Sequence, residues 1–291
     1  MIFRSLISTQ LTALLLIAAL TTAAQNVKEP PATNTDWIKS YQPFRIAGNL
    51  YYVGTYDLAC YLITTKAGNI LINTGLASSD TQIRRNIETL GFKFSDIKIL
   101  LTTQAHYDHL GAMASIKEST GAKLMIAEKD APVVIDGGKS DFVFGGDTSS
   151  FKPIRPDRLL HDGDKIILGN MQLVFLHHPG HTKGSCSYWF TVKDDKRSYK
   201  VLIANMPTIV TPKRFTEIPA YPEIARDYAY TFQAMKKLSF DIWLASHASQ
   251  FNLHRKHKPG DAYNPAAFID RAGYDAALKD LQEAFDKKMK Q

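Results

Sequence analysis

The sequence predicts an α+β fold in which two sheets pack face to face with helices on their outer sides. Three observations carry that prediction. Short β-rich runs bounded by Gly, Asn and Asp alternate with amphipathic helices. The second half of the chain echoes the first. The composition, 45% hydrophobic and 22% charged over 291 residues, can fill a large core. It also excludes a disordered chain, and the presence of only 2 cysteines excludes a disulfide scaffold. A formal charge of +7 is spread without a long Lys/Arg block, the densest cluster being His254-Arg255-Lys256-His257-Lys258. Nucleic-acid binding requires a basic stripe with interleaved aromatics and is not expected.

The first 24 residues read as an export signal. Arg4 gives a positive start, Leu11 to Leu20 an apolar run of about ten residues, and Thr22-Ala23-Ala24 the small residues of a cleavage site. A bilayer span needs about 20 apolar residues, so this run is too short to be one. No cysteine follows it to carry a lipid. The expectation is a mature chain from Gln25, one domain over residues 25–291, exported to the periplasm, without a membrane anchor and working as a monomer.

From Phe44 the elements follow in order. Arg45 to Ala47, Leu50 to Val53, Ala59 to Thr65 and Ile70 to Asn73 read as short strands joined by hairpins. Ser79 as N-cap, Gln82, the Ile83/Ile87/Leu90 stripe and Gly91 as stop define a helix. Ile97 to Leu101 is a buried strand, followed by a helix over about Leu110 to Glu118 and a strand over about Lys123 to Ala127. Then the echo begins. Ile167-Leu168-Gly169-Asn170-Met171-Gln172-Leu173-Val174 repeats the apolar positions of Ile46-Ala47-Gly48-Asn49-Leu50-Tyr51-Tyr52-Val53 around a shared Gly-Asn. Cys186 to Val192, Val201 to Ala204, a helix from Pro222 to Leu238 and a buried strand Ile242 to Ala245 complete the second copy. Asn264-Pro265 caps one further helix, and Tyr274, Leu278, Leu281, Phe285 and Met289 stripe the last. Two sheet-then-helix halves, each leaving a sheet face uncovered, imply the sandwich and a duplication. Two outcomes stay open for Cys60 and Cys186: a bridge in an oxidising compartment, or free thiols packed as small hydrophobes.

The densest chemistry is Gln104-Ala105-His106-Tyr107-Asp108-His109, directly after the strand Ile97 to Leu101. Two imidazoles and a carboxylate so close together suit zinc. Two other segments share the layout: His177-His178-Pro179-Gly180-His181-Thr182-Lys183-Gly184-Ser185 after Met171 to Leu176, and His247 after Ile242 to Ala245. Each group sits at the C-terminal end of a strand, so the three loops can converge on one edge of the sandwich. His161, His254 and His257 lack that setting and read as surface residues.

Together, Gln104-x-His106-x-Asp108-His109, Gly180-His181-Thr182-x-Gly184-Ser185 and the Ser246-His247 pair resemble the metal motifs of the metallo-β-lactamase superfamily, most nearly its subclass B3 and the GOB type within it. The resemblance runs on through Tyr41-Gln42-Pro43-Phe44, Gly54-Thr55-Tyr56-Asp57-Leu58, Ala204-Asn205-Met206-Pro207 and Ser246-His247-Ala248-Ser249-Gln250-Phe251, nearly the whole mature chain. It implies a four-layer αβ/βα sandwich of two pseudo-symmetric halves with zinc at one edge. It assigns Gln104, His106 and His181 to a first metal position and Asp108, His109 and His247 to a second. Most of the family has histidine where Gln104 stands. A neutral amide oxygen binds zinc less well than imidazole, so one zinc is expected tightly at the second position and another more weakly at the first.

The implied activity is hydrolysis of the β-lactam ring of penicillins, cephalosporins and carbapenems, conferring antibiotic resistance, through a zinc-activated water and without a covalent intermediate. Asp108 is the implied catalytic residue, binding zinc and orienting the water; Thr208 is the implied hydroxyl for the substrate carboxylate. Many relatives place a metal-bridging aspartate where this chain reads Asn205-Met206, and a thioether cannot bridge hard cations. That argues against glyoxalase II, ribonuclease and phosphodiesterase branches. Ser-x-x-Lys occurs at Ser95 to Lys98 and Ser149 to Lys152, but without the companion motifs of serine β-lactamases. Two alternatives remain: a lactonase-like hydrolase of the same fold, its choice of substrate shaped by the loop Gly137 to Ser150, or a non-catalytic zinc-binding periplasmic protein.

Overall fold

Alternation along the strands explains why both faces of the first sheet are buried. In Gly68–Ile72, Ile70 and Ile72 pack toward the second sheet while Leu71 packs under helices, so the strand reads as one apolar run. The computed structural model describes residues 27–32 and 34–291, so the export signal expected over residues 1–24 lies outside the described residues.

Seven strands form the first sheet in chain order: β1 (Phe44–Ala47), β2 (Leu50–Tyr52), β3 (Tyr61–Thr65), β4 (Gly68–Ile72), β5 (Ile97–Leu101), β6 (Lys123–Ala127) and β7 (Arg158–Leu160). β1 to β4 are antiparallel and β4 to β7 parallel. Helix α1 (Asp80–Thr89) makes the β4–β5 crossover. Helices α2 (Tyr107–Leu110) and α3 (Met113–Thr120) lie between β5 and β6, and α4 (Ala131–Asp136) follows β6. The second sheet repeats the scheme. β8 (Lys165–Leu168), β9 (Met171–His177), β10 (Cys186–Lys193) and β11 (Ser198–Ala204) are antiparallel, and β12 (Ile242–Ala245) joins β11 in parallel after α5 (Ile224–Lys236). A short α6 (Leu253–Lys256) and the long α7 (Arg271–Lys288) complete the chain. Side chains of both sheets, such as Ile63, Ile99, Phe175, Tyr188 and Ile203, share one core. Among the described residues no helix is long and apolar enough to cross a membrane.

The echo around Gly-Asn is structural. Ala47 pairs with Leu50 and Leu168 with Met171, and Gly48 and Gly169 hold φ of 53° and 57° at the first central position of their tight turns.

Several expectations need correction. The helix expected over Leu110 to Glu118 is two helices. A continuous helix would give the His109 carbonyl to Met113, but that oxygen accepts from the Thr74 amide at 2.9 Å instead. Asn264-Pro265 begins only a 3-10 turn, Pro265–Phe268, because Ile269 is extended before Asp270 caps α7. Met289 lies beyond α7 and is 52% exposed, so it is not part of the buried stripe. His257 is buried, stacked on Phe44 at 3.5 Å, and partly buried His254 stacks on Tyr56 at 3.7 Å, so neither is a surface residue. Cys60 and Cys186 are free thiols in separate core clusters.

The first hairpin touches the second sheet closely: a Cβ on Gly48 would stand 2.6 Å from the Lys193 carbonyl oxygen. Gly163 also has positive φ, 81°, but open space around it. We expect Gly48→Ala to cost roughly 2–3 kcal/mol, against about 1 kcal/mol for Gly163→Ala, because only the former adds a backbone clash to left-handed strain. Denaturant unfolding of the two variants would show this, and equal losses would contradict it.

Candidate metal centre

The six residues singled out in the sequence come from loops that leave β5, β9 and β12 at the same edge of the sandwich, and a set of buried side-chain anchors draws those loops together. Asn73, at φ 62°, accepts through Oδ1 from the Thr103 amide at 2.9 Å and so fixes the start of the Gln104–His109 loop. Thr103 Oγ1 meets Ser246 Oγ at 2.9 Å, tying the end of β5 to the residue before His247. Asp130, fully buried, joins the other pair of loops. It accepts from the Ala105 amide at 3.0 Å, Thr182 Oγ1 at 2.8 Å and the Gly184 amide at 2.7 Å. Burial raises its pKa, and the bonds from Thr182 and Gly184 work against that rise.

The donor atoms of Asp108, His109 and His247 all lie within 4.8 Å of one another. Asp108 Oδ2 stands 3.3 Å from His109 Nε2 and 3.4 Å from His247 Nε2. Two ligands of one tetrahedral zinc, each about 2.0–2.1 Å from it, stand about 3.3–3.4 Å apart. Both ring nitrogens of His109 are buried without a hydrogen-bond partner, an arrangement that costs free energy unless something else binds them. Donor type, spacing and the orphaned imidazole all fit zinc.

Electrostatics holds these groups in metal-binding form. Burial works against the Asp108 carboxylate, but His109 and His247 outweigh it and keep its pKa well below the usual range. Burial also keeps His109 below the ordinary imidazole value, hence neutral. His247 differs. Burial disfavours its proton, yet Asp108 and Asp57 overcome that and raise it to about 9. Asp57 Oδ2 lies 3.2 Å from His247 Nδ1 and accepts from Trp37 Nε1 at 3.1 Å, an arrangement that fixes the ring orientation and presents Nε2.

The donors assigned to the first position are buried but less tightly gathered: among the described residues, Asp108, His109 and His247 are the group of three His, Cys, Asp or Glu drawn within such a span. Gln104 Oε1 and His106 Nε2 are buried without hydrogen-bond partners. The His106 and His181 rings are 4.9 Å apart. His181 Nδ1 donates to the Thr208 carbonyl oxygen at 2.8 Å and lies 2.9 Å from Thr208 Oγ1, leaving Nε2 to face the site. Burial, with the neighbouring His106 charge, lowers His181 to about 3. α5 supports this loop from behind, with Tyr228 bonding the Thr208 carbonyl and Thr231 the Pro179 carbonyl. Met206 is buried.

Sequence reasoning missed three carboxylates. Asp57 lies inside a quoted motif but was given no role. Asp130 sits at the start of α4, too short to leave a periodic signal. Asp141, in the loop 137–150, stands 3.3 Å from His106 Nε2.

The profile of the metallo-beta-lactamase superfamily matches residues 55–195. Among solved structures, the class B3 di-zinc metallo-beta-lactamase LRA-12 from an Alaskan soil metagenome is 68% identical, with a TM-score of 0.89, over 90% of this chain and 100% of that one. The metallo-beta-lactamase GOB-18 from Elizabethkingia meningoseptica is 58% identical, with a TM-score of 0.91, over 92% of this chain and 99% of that one. A probable metallo-hydrolase of Burkholderia pseudomallei is 35% identical over 121 residues, 40% of this chain and only 38% of that protein.

Two outcomes follow from this geometry. Zinc must displace the proton on His247, so zinc affinity, measured against a chromophoric chelator, is expected to climb as pH rises toward about 9 and to level beyond it. In Asp57→Asn the rise should end at lower pH; identical profiles for both proteins would contradict the role given to Asp57. Asp130→Ala leaves three donors without an acceptor and is expected to cost about 3–5 kcal/mol of stability in thermal or denaturant unfolding. A loss below about 1 kcal/mol would contradict it.

Proposed function

The chain belongs to the metallo-β-lactamase superfamily, in its subclass B3 and alongside the GOB type, and from that membership we propose that it is a zinc β-lactamase that opens the β-lactam ring of penicillins, cephalosporins and carbapenems. The observation that carries this reading is Asp108, one carboxylate oxygen set at zinc-ligand spacing from imidazoles of both halves of the chain. The export pattern of residues 1–24 supports a periplasmic location, and the mature chain acts there as an antibiotic-resistance enzyme.

Asp108, His109 and His247 would hold one zinc ion tightly, and Gln104, His106 and His181 a second more weakly. When bound, zinc supplies Lewis acidity: it brings the pKa of water to about 7 and stabilises negative charge developing on a carbonyl oxygen or departing nitrogen. The chain's own residues do the positioning. Asp108 orients the attacking water against the lactam carbonyl, so no side chain needs to form a bond to the substrate. Asp57 and Trp37 hold the His247 ring in register with Asp108. The Thr208 carbonyl accepts the hydrogen bond from His181 Nδ1–H, which leaves the Thr208 hydroxyl hydrogen free to donate to a substrate carboxylate. Met206 in place of a bridging carboxylate weighs against the lactonase-like alternative, and Asp108 weighs against a non-catalytic zinc carrier.

A chromogenic cephalosporin assay decides between these. Turnover is expected to stop with a chelator and return with zinc, and Asp108→Ala is expected to lose at least about 1,000-fold in kcat/KM, about 4 kcal/mol of transition-state stabilisation. Asp108→Ala turning over at the parental rate would overturn the mechanism.

A further inference from the structure

We propose that Asp141 is the positioning residue of His106: its carboxylate draws the ring proton to Nε2 and so makes Nδ1 the nitrogen offered to the first zinc position. This rests on the zinc reading above, and Asp141 itself is not a ligand. Asp141 Oδ2 stands at ion-pair distance, 3.3 Å, from His106 Nε2. A ring nitrogen facing a buried carboxylate carries a proton, and a protonated nitrogen cannot bind metal. The donor is then the other nitrogen of the same ring. The remaining assigned rings whose outer nitrogen has a partner are held in the same way. His247 Nδ1 faces Asp57 at 3.2 Å and His181 Nδ1 bonds the Thr208 carbonyl at 2.8 Å, so both turn Nε2 to the site. His106 is held from its opposite nitrogen, with its ring 4.9 Å from that of His181.

The loop is built to keep that oxygen in place. Asp141 Oδ1 accepts from the Val143 amide at 2.8 Å and the Phe144 amide at 2.7 Å, which leaves Oδ2 turned to His106. Phe144 packs edge-on to His106 at 5.0 Å and to Tyr107 at 5.7 Å, so the same turn that orients the carboxylate also walls the ring. The loop is closed at its base where the Ser150 amide bonds the Gly137 carbonyl at 2.8 Å. The side chains of His106 and Asp141 are 3% and 4% exposed, so solvent screens the pair little.

The consequence falls on the weaker position. Gln104 offers a neutral amide oxygen, so the first position relies on its two imidazoles. A neutral imidazole can carry its proton on either nitrogen, and only one tautomer leaves Nδ1 bare. Asp141 selects that tautomer for His106, as Asp57 selects the one that presents Nε2 of His247. An ordinary ion pair suffices, because its work is orientation and not added charge on the metal.

The test pairs zinc titration of the purified mature protein against a chromophoric chelator with heteronuclear NMR of the histidine ring nitrogens. The parent is expected to bind zinc in two steps and, when loaded, to carry the His106 proton on Nε2. Asp141→Asn keeps an oxygen acceptor for the Val143 and Phe144 amides, so the turn is retained, but it points an N–H donor at His106 Nε2 and thereby moves the ring proton to Nδ1. The looser step should weaken at least about tenfold while the tighter one stays within about threefold of the parent. The zinc-free variant at neutral to mildly alkaline pH should show the His106 proton on Nδ1, a signature that a merely loosened loop would not give. An unchanged looser step in Asp141→Asn, a proton that stays on Nε2 in that variant, or a loaded parent with the proton on Nδ1 overturns the role given to Asp141 alone. A parent without a looser step overturns the two-zinc reading beneath it.

Discussion

One buried carboxylate facing two imidazoles constrains the architecture. Asp108 comes from the first half of the chain with His109, whereas His247 comes from the second, so the pairing exists only if the two sheets meet at the right edge and in the right register. Its charge cannot be buried without partners. The cost of isolating it is several times the value of an ordinary hydrogen bond, which is why the polar network around the loops is so complete. Among the orphaned buried atoms are those of His109, His106 and Gln104, which belong to the residues suited to hold metal.

Three anchors turn that requirement into structure. Asn73 and Thr103 fix the loop after β5, Asp130 ties it to the loop after β9, and Asp57 steadies the ring after β12. None of these four residues is a donor in the assigned sets; Asp57 bonds His247 itself, and the others hold residues next to the donors in the chain. The packed core behind them is stiff, with strands buried on both faces, so small displacements of the loops are not absorbed by the sheets. The arrangement is an example of a preorganised site carried on rigid elements.

Much of this was legible in the residues. The Gly-Asn turns announced both hairpins because a tight primed turn requires a glycine at its first position, and the apolar runs of β4, β5 and β12 announced buried strands. The three strand-then-histidine segments announced the edge where donors meet. What escaped had physical reasons. α4 and β7 are shorter than the window in which a period can be seen. The break between α2 and α3 depends on a hydrogen bond from Thr74, far away in sequence. His257 was read as surface from a basic neighbourhood, but its ring stacks on Phe44, a contact that only the tertiary fold creates. Asp57, Asp130 and Asp141 carry no local signature, because a carboxylate that supports an imidazole looks like any other acidic residue until the loops are brought together.

The central claim is that donors from both halves share one ion. A crystal structure of the purified protein with anomalous scattering recorded at the zinc edge tests it most directly. The account predicts a zinc peak within about 2.0–2.2 Å of Asp108, His109 and His247 together. A zinc-loaded protein with its strongest peak elsewhere, or with His247 turned away from the ion, would contradict it.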